Sequence, residues 1–282
     1  MQKIIGIVTL YYPDIQSVAE NILSYLNELD TLILWENTPK AESKIEKLLS
    51  LLPSDKIELR TTGKNEGLGK PFNESILFAQ NAGADFLLTM DQDSCFRTGD
   101  FQKYSSLVSS ELAPSKGIFA PNRNLHDENS ENFVEIRTAI SSGTLYPLSV
   151  FSEIGTFTDD FFVYMIDIEF CLRAAKNGIK TYCVAPIQMQ HSEGYKTRTK
   201  SGLNINNYSA QSTYYIIRNT ILTWKLYPEY TYNTDKKSFF KYKIIYRLLK
   251  LVFEKNRYHK LKAILLGLCH GYKQESGQFD VK

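Results

Sequence analysis

Residues 86–96, FLLTMDQDSCF, contain the pattern that decides the fold. The run from Phe86 to Met90 is short and apolar, as expected of a buried strand, and Asp91 and Asp93 follow it directly. At the side-chain spacing of a strand, two carboxylates two residues apart point the same way. Like charges that close repel each other unless a cation lies between them. The stretch therefore predicts a strand that ends at a cation site.

This strand is the fourth in a series in which strands alternate with amphipathic helices. The earlier strands are predicted at 3–10, 31–35 and 56–62, and the helices at 13–29, with Pro13 in the first turn, at 41–52 and at 71–82. This order predicts an α/β fold with a mostly parallel sheet and right-handed crossovers. Ligands of such sheets collect at the carboxyl ends of the strands. Four polar segments fall there: Thr9–Tyr11, Glu36–Asn37, Thr61–Asn65 and Asp91–Asp93.

The chemistry of Asp91 and Asp93 favours Mg²⁺ or Mn²⁺. These hard ions prefer oxygen ligands, and they usually share their coordination shell with substrate phosphates. A solvated turn that happens to carry two acids is the alternative. The position at the end of a strand favours binding of a metal together with a diphosphate.

The composition is that of an ordinary globular protein. The chain has 282 residues, 43% of them hydrophobic and 23% charged. Its four cysteines are scattered without a CxxC pair, which argues against a disulfide framework and a zinc knuckle. The N-terminal apolar run is too short for a signal peptide, and no run reaches the roughly 18 apolar residues of a membrane span. We therefore expect a cytoplasmic protein.

The C-terminal region differs from the rest in charge. Residues 236–282 contain twelve Lys or Arg and three acids, so the remainder of the chain is acidic on balance. This basic, aromatic and helical region has the composition of a helix that lies on an anionic membrane surface. For a cytoplasmic protein, that surface is the inner face of the cell membrane. A helix packed on the body of the protein, or at a dimer interface, is the alternative. No nucleic-acid-binding module accompanies the charge, so no nucleic-acid partner is expected.

Several segments together resemble the family 2 inverting glycosyltransferases of the GT-A fold, and more narrowly the rhamnosyltransferases. They are VTLYYP (8–13), ENTP (36–39), NEGLGKPFNESILFAQNAGADFLLTMDQDS (65–94), SSGTLYPLSVFSEIGTF (141–157), DIEFCLRAAKNGIKTY (167–182), QHSEG (190–194) and YYIIRN (214–219). The resemblance covers most of residues 4–220. It implies a Rossmann-like GT-A domain at 1–225, with a mostly parallel mixed sheet flanked by helices, and a basic helical extension at 226–282.

The resemblance also implies the site residues. Those expected to contact the nucleotide-sugar are Thr9, Tyr11, Glu36, Asn37, Asn65, Gly67, Asn73, Asp91, Gly143 and Arg218; those expected to bind the metal are Asp91, Asp93 and His191. Glu36 replaces the Asp that is usual in the family. Three of these site residues also have an alternative role. For Gly67 it is to serve a flexible turn, and for Arg218 it is to pack a helix in the interior. For His191 it is to contact the diphosphate or to be a structural residue.

Asp167 is the expected catalytic base. It lies six residues before Arg173, which is the offset of the base in the family pattern. An inverting transfer is a single displacement, so one group must take the proton of the acceptor hydroxyl. The alternative is that Asp167 only caps its helix. The family often has another Asp three residues earlier, where this chain has Tyr164.

These features predict an inverting glycosyltransferase. By resemblance, its donor is dTDP-rhamnose and its acceptor is a glycan, carried on a lipid during surface polysaccharide synthesis. Two alternatives stay open. Haloacid dehalogenase-type phosphohydrolases also carry Asp-x-Asp after an apolar strand, although there it normally ends the first strand. A non-catalytic scaffold that binds a sugar nucleotide is the other.

Overall fold

The computed structural model describes residues 2–123, 131–191, 196–198, 204–206, 208–251, 254 and 256–281, and only the backbone within 191–206. Contacts within the chain define two compact units. The first comprises Met1–Phe157 and Phe170–Ser192, and the second comprises Thr158–Glu169 and Glu193–Lys282. The predicted boundary at residue 226 falls inside the second unit.

The first unit contains a mixed β-sheet. Its strands are β1 (Ile4–Leu10), β2 (Thr31–Glu36), β3 (Ile57–Thr61), β4 (Phe86–Asp91), β5 (Ser94–Phe96), β6 (Gly117–Asn122), β7 (Phe133–Ile136), β8 (Thr144–Pro147) and β9 (Lys180–His191). The described strands follow the order β3-β2-β1-β4-β8-β6-β9-β5, and β7 pairs with β9. The helices are α1 (Ile15–Leu23), α2 (Ile45–Leu49), α3 (Gly69–Asn81), α4 (Asp100–Val108), α5 (Leu148–Ile154) and α6 (Ile166–Lys176), which begins in the second unit.

The four strands predicted from the first 90 residues form the parallel half of this sheet. β1 pairs in parallel with both β2 and β4, and β2 with β3. β8 is antiparallel to β4 and to β6, whereas β6 and β9 are parallel. Burial on both faces explains why β1 and β4 are continuous apolar runs. The predicted α/β class with a mixed sheet is confirmed.

Two predicted helices are shorter than expected. α1 covers only Ile15–Leu23 of the predicted 13–29. Extended Asp14 caps its start and accepts a hydrogen bond from the Ser17 amide at 3.0 Å, and Leu26–Glu28 forms a separate 3₁₀ turn after its end. α2 covers only Ile45–Leu49 of the predicted 41–52, because Lys40–Glu42 forms a separate 3₁₀ turn. Both changes lie after strand ends, so they shape the loops around the candidate site.

The second unit is largely helical, as the C-terminal composition predicts. Its further elements are α7 (Ala210–Leu226), α8 (Asn233–Phe239), a π-helix (Phe240–Ile245), α9 (Tyr246–Lys250), α10 (Arg257–Lys273) and two short strands, β10 (Lys196–Arg198) and β11 (Asn204–Asn206). Gly267 of α10 allows close packing on α7, since a Cβ there would lie 3.0 Å from Ile217 Cβ. Among the described residues, no helix is long and apolar enough to cross a bilayer.

Candidate functional site

The carboxyl ends of β1, β2 and β4 lie side by side. Thr9 on β1 is in register with Trp35 on β2 and with Asp91 on β4. The Thr9 hydroxyl is buried, and it forms no hydrogen bond to any described residue. A buried polar atom without a partner is uncommon in folded proteins. The polar residues predicted at the carboxyl ends of these strands therefore lie together, and one of them, Thr9, has an unsatisfied hydroxyl.

The backbone of the Asp-Gln-Asp segment is fixed by hydroxyl groups. The Asp91 amide donates to Ser142 Oγ at 3.1 Å, and that hydroxyl donates to Ser94 Oγ at 2.8 Å. Asp91 ends β4, and Asp93 lies in the turn before β5. Ser94 is in register with His191 on β9, whose side chain lies outside the described part of the structure. Asp91 and Asp93 are both partly exposed to solvent.

Gln92, between the two carboxylates, connects this segment to the loop after β1. The Tyr11 amide donates to Gln92 Oε1 at 2.8 Å, and Gln92 Nε2 donates to the Tyr11 carbonyl at 3.1 Å. Asn21 of α1 in turn donates to the Gln92 carbonyl at 2.9 Å. Tyr11 and its neighbour Tyr12 are both about half exposed, with ring centroids 4.7 Å apart. Gln92, between the two carboxylates, is thereby joined to a loop that carries two half-exposed aromatic rings.

Glu36, at the end of β2, is a buried carboxylate that lines a cleft. Its Oε1 accepts from the Thr38 amide at 2.8 Å, and its Oε2 accepts from Ser43 Oγ at 3.2 Å. The cleft has a volume of about 640 Å³, and its polar lining includes Thr38, Lys40, Ser43, Lys44, Thr61 and Thr62. The cleft therefore lies beyond the ends of β2 and β3, and hydroxyl and ammonium groups line it together with the Glu36 carboxylate.

Three residues expected at the nucleotide are brought together by hydrogen bonds to one another. Asn37 is buried, and its Nδ2 donates to the Gly67 carbonyl at 2.7 Å. Its Oδ1 accepts from Trp35 Nε1 and from the Glu66 amide. The Gly67 amide donates to Asn65 Oδ1 at 2.9 Å, and Gly67 has a φ of +74°. The Asn37 side chain thus shapes the turn, and the structural alternative for Gly67 fits its backbone conformation.

Asn73 and Gly143 have clear structural roles. The Asn73 side chain donates to the Phe157 carbonyl and accepts from the Phe157 amide, both at 2.9 Å. Gly143 has a φ of +79°, and a Cβ there would lie 2.5 Å from the sulfur of Met189. The Gly143 amide also donates to the Thr89 carbonyl on β4 at 2.8 Å. These contacts place the two residues in the framework around the strand ends.

Two ionisable groups near the strand ends have shifted pKa values. Partial desolvation and a hydrogen bond to Glu42 raise the pKa of the half-exposed Tyr12 hydroxyl. Burial acts to raise the pKa of Glu66, but hydrogen bonds from Lys70 and Thr62 outweigh it and lower that pKa below its ordinary value. Tyr12 is therefore neutral and Glu66 is charged at neutral pH.

Asp167 lies in the second unit, in the first turn of α6. Its Oδ1 accepts from the Ile168 amide at 2.8 Å, so the carboxylate satisfies one of the free amides of the first turn without being the N-cap. The residues before it are strained: Phe162, Tyr164 and Met165 have φ values of +62°, +62° and +65°. Positive φ is uncommon for residues other than glycine, and such strain clusters at functional sites.

Asn219 of α7 holds this strained segment. Its side-chain amide nitrogen lies 2.9, 2.8 and 3.0 Å from the carbonyl oxygens of Phe161, Val163 and Tyr164, so its two hydrogens are shared among these three acceptors. Asn219 is fully buried, so water does not replace these bonds. One α7 residue thus fixes the chain that leads to Asp167.

Arg218, the neighbour of Asn219, is also fully buried. Its guanidinium donates to the carbonyls of Asp160 and Phe161 at 3.0 and 3.3 Å, and to the carbonyl of Gly277. Its Nε donates to Asn219 Oδ1 at 2.9 Å. This geometry fits the helix-packing alternative for Arg218.

The donor set of Asp91 and Asp93 is compatible with a hard divalent ion. The part of the chain with described side chains contains no group of three or more His, Cys, Asp and Glu residues that could hold a metal. Two carboxylates on a fixed strand end match an ion that takes its other ligands from phosphates and water. They do not match a closed structural site of four protein ligands.

The chain is similar to a known bacterial transferase along almost its whole length. No protein-family profile matches the chain. It is 24% identical over 293 residues to the dTDP-rhamnosyl transferase RfbF of Shigella flexneri, and the match spans 98% of this chain and 97% of RfbF. The chain is rhamnosyltransferase-like along almost its whole length. The resemblance expected from the sequence motifs is therefore confirmed.

Solved structures confirm the fold. GalNAc-T7, crystallised with UDP, GalNAc and Mn²⁺, matches with a TM-score of 0.58 at 10% identity, over 86% of this chain and 54% of GalNAc-T7. Residues 1–349 of Staphylococcus aureus TarS, in complex with UDP-GlcNAc, match with a TM-score of 0.55 at 12% identity, over 96% of this chain and 92% of TarS 1–349. The rhamnosyltransferase-like chain has the GT-A glycosyltransferase fold.

Proposed function

We propose that the protein is an inverting glycosyltransferase that uses a nucleotide diphosphate-sugar, with dTDP-rhamnose as the first donor to test. The observation that carries the proposal is the meeting of β1, β2 and β4 at Asp91 within a GT-A fold. The full-length similarity to a protein named as a dTDP-rhamnosyl transferase supports the choice of donor.

The nucleotide lies, in this proposal, at the ends of the parallel strands. Tyr11 offers a half-exposed aromatic ring for the base, and Thr9 offers an unsatisfied hydroxyl. Glu36 lines the neighbouring cleft, where its carboxylate can accept hydrogen bonds from hydroxyl or N–H groups. Asn37, Asn65 and Gly67 act mainly by shaping the turn beside the nucleotide, and Asn73 and Gly143 by fixing the framework.

Asp91 and Asp93 are the residues proposed to hold Mg²⁺ or Mn²⁺, with His191 as a candidate third ligand. When bound, such an ion offsets the negative charge that accumulates on the departing nucleoside diphosphate. The Ser142 hydrogen bond to the Asp91 amide and the Gln92 contacts with Tyr11 keep the two carboxylates in place without a metal. The GalNAc-T7 structure, which contains Mn²⁺, supports testing Mn²⁺ first.

Asp167 is proposed to act as the base. The acceptor hydroxyl oxygen attacks the anomeric carbon as the bond from that carbon to the diphosphate oxygen breaks, and Asp167 takes the hydroxyl proton. The sugar is transferred with inversion, and the nucleoside diphosphate leaves. The strained backbone before Asp167 supports this role, since strain of this kind persists where the surroundings hold it for function.

The acceptor is proposed to be a glycan carried on a lipid, and the product a surface polysaccharide. This part rests on the resemblance to rhamnosyltransferases and on the basic C-terminal segment. A comparison of transfer to a free glycan and to the same glycan on a polyprenyl diphosphate tests it. Equal rates with both acceptors would remove the lipid from the proposal.

The phosphohydrolase alternative loses its support in this fold. Asp-x-Asp ends the fourth strand along the chain rather than the first, and the GT-A likeness covers nearly the whole chain. A transfer assay distinguishes a transferase from a non-catalytic scaffold that only binds the sugar nucleotide. Release of dTDP from dTDP-rhamnose that depends on an acceptor would exclude it.

A thermal-shift panel tests the proposal most directly. The nucleotides are dTDP, UDP and GDP and their sugars, each with Mn²⁺ or with EDTA. We expect dTDP and dTDP-rhamnose to raise the Tm of the protein with Mn²⁺, and Asp91→Asn to lose that shift. Asp55→Asn, at an exposed aspartate of a 3₁₀ turn, is the matched control and keeps the shift. No shift with any nucleotide would overturn the proposed function.

A further inference from the structure

The segment from α8 to α9 attaches to the rest of the second unit by one face. Phe239 and Ile244 are buried, and they pack with Ile217 of α7 and Ile264 of α10. Arg247 points inward as well, with its guanidinium 4.8 Å from the centre of the Tyr208 ring. The inner face therefore already accounts for the packing of this segment.

The opposite face, here called the outer face, is apolar and exposed. Its members are Phe240, Tyr242, Ile245, Tyr246, Leu248 and Leu249. The π-helix contributes to this arrangement, because its wider turn places residues about five apart on one side, as with Phe240 and Ile245. The rings of Tyr242 and Tyr246 stack with centroids 5.4 Å apart. Proteins rarely leave such a cluster of apolar side chains in water without a partner.

The charge of the segment identifies the partner. Residues 236–251 contain six Lys or Arg and no acid. The acids that flank the segment are engaged locally: Asp235 accepts a hydrogen bond from the Tyr232 amide, and Glu254 forms a largely buried ion pair with Lys260. Lys236, Lys237 and Lys241 are exposed beside the outer face. Nothing within the segment neutralises these lysines.

We infer that the outer face binds an anionic lipid surface, with its apolar side chains at the acyl boundary and its lysines at the headgroups. Exposed aromatic and aliphatic side chains flanked by lysine are the pattern of helices that lie in a membrane interface. A second copy of this chain is a poorer occupant, because it would bring its own Lys236, Lys237 and Lys241 against the same positively charged face. Lipid binding by this face bears on the acceptor of the proposed function, which draws on the same basic segment, but it needs none of the residues proposed for the transfer reaction.

Vesicle co-sedimentation of the full chain tests the inference, without nucleotide or acceptor. We expect binding to vesicles that contain phosphatidylglycerol, and at least about tenfold weaker binding to phosphatidylcholine alone. Added salt should weaken the binding by screening the charges. Leu249→Glu should reduce binding to the anionic vesicles by about tenfold or more, because it removes an inserted side chain and adds a repelled charge.

Leu112→Glu is the matched control. Leu112 is 70% exposed in the first unit and Leu249 is 62% exposed, so both changes place a carboxylate in water. A second variant, Lys241→Gln, keeps the apolar face and should weaken binding about fivefold. Equal binding to both kinds of vesicle, equal losses in the two leucine variants, or a wild-type dimer that dissociates on Leu249→Glu without any vesicle binding would each overturn the inference.

Discussion

The Asn219 side chain donates a hydrogen bond to the carbonyl of Tyr164 at 3.0 Å, and Tyr164 has a φ of +62° three residues before Asp167. The same amide nitrogen also reaches the carbonyls of Phe161 and Val163. The strained conformation is thus stabilised from outside the segment, by one buried residue of α7. Asn219 is therefore a positioning residue for the proposed base.

Asn219→Ala should lower kcat while leaving the KM for the donor close to its wild-type value. The change leaves three carbonyls without this donor, so we also expect the free energy of unfolding to fall by about 1–3 kcal/mol. Steady-state kinetics and urea denaturation measure the two effects. Asn233→Ala, at an exposed position of α8, is the control. A variant that is less stable but has an unchanged kcat would show that Asn219 is structural only.

Asp167→Asn should abolish transfer and leave dTDP binding intact. Asparagine has nearly the same shape but cannot take the acceptor proton, and loss of a general base typically costs 10²–10⁴-fold in rate. Acceptor-dependent release of dTDP measures the rate, and isothermal titration with dTDP measures the affinity. Turnover at the wild-type rate would mean that another group is the base.

Arg218→Lys should destabilise the protein without weakening nucleotide binding. Lysine cannot reproduce the planar guanidinium that donates to the carbonyls of Asp160, Phe161 and Gly277. We expect the free energy of unfolding to fall by about 1.5–3 kcal/mol, the value of a lost hydrogen bond to a charged group. Urea denaturation and dTDP titration of the folded variant test this. Unchanged stability together with weaker dTDP binding would restore the diphosphate contact that the sequence predicts.

Gln92→Ala should weaken dTDP binding several-fold and change the stability little. It removes both hydrogen bonds to the Tyr11 backbone, each worth about 0.5–1.5 kcal/mol before solvent exposure reduces them. The loop that carries the Tyr11 ring then loses its attachment to the segment between the two carboxylates. Gln102→Ala, at an exposed position of α4, serves as the control for titration with dTDP in Mn²⁺. Equal affinities in both variants would contradict a positioning role for Gln92.

Local patterns were sufficient to predict the parallel half of the sheet and the position of its carboxyl ends. The apolar run before Asp91 predicts a buried strand because both faces of β4 are covered. Strand–helix alternation then places Thr9, Glu36 and Asp91 at one edge, and the structure has them there. The antiparallel pairings of β8 were not predicted, because short strands after residue 95 carry no regular period.

The contacts that position the site could not be predicted, because they join distant parts of the chain. Gln92 and Tyr11 are 81 residues apart, and Asn219 and Tyr164 are 55 apart. Each contact joins a side chain to the backbone, so it leaves no trace in the spacing of apolar residues. Asn37 illustrates the same limit: the motif places it at the nucleotide, whereas its amide organises the turn at Gly67.

The π-helix at Phe240–Ile245 makes the chain tolerant of a change in length at this point. Each residue of an α-helix advances the chain by about 100° around its axis, and each residue of a π-helix, whose turn is wider, advances it by less. Deleting one of the six residues of this wide turn, so that the rest closes into α-helix, would therefore leave Tyr246–Lys250 facing almost the same way. The same deletion within α9, which is α-helical, would rotate the residues beyond it by about 100°. The wide turn thus holds one extra residue that can be lost or regained without re-aiming the downstream leucines.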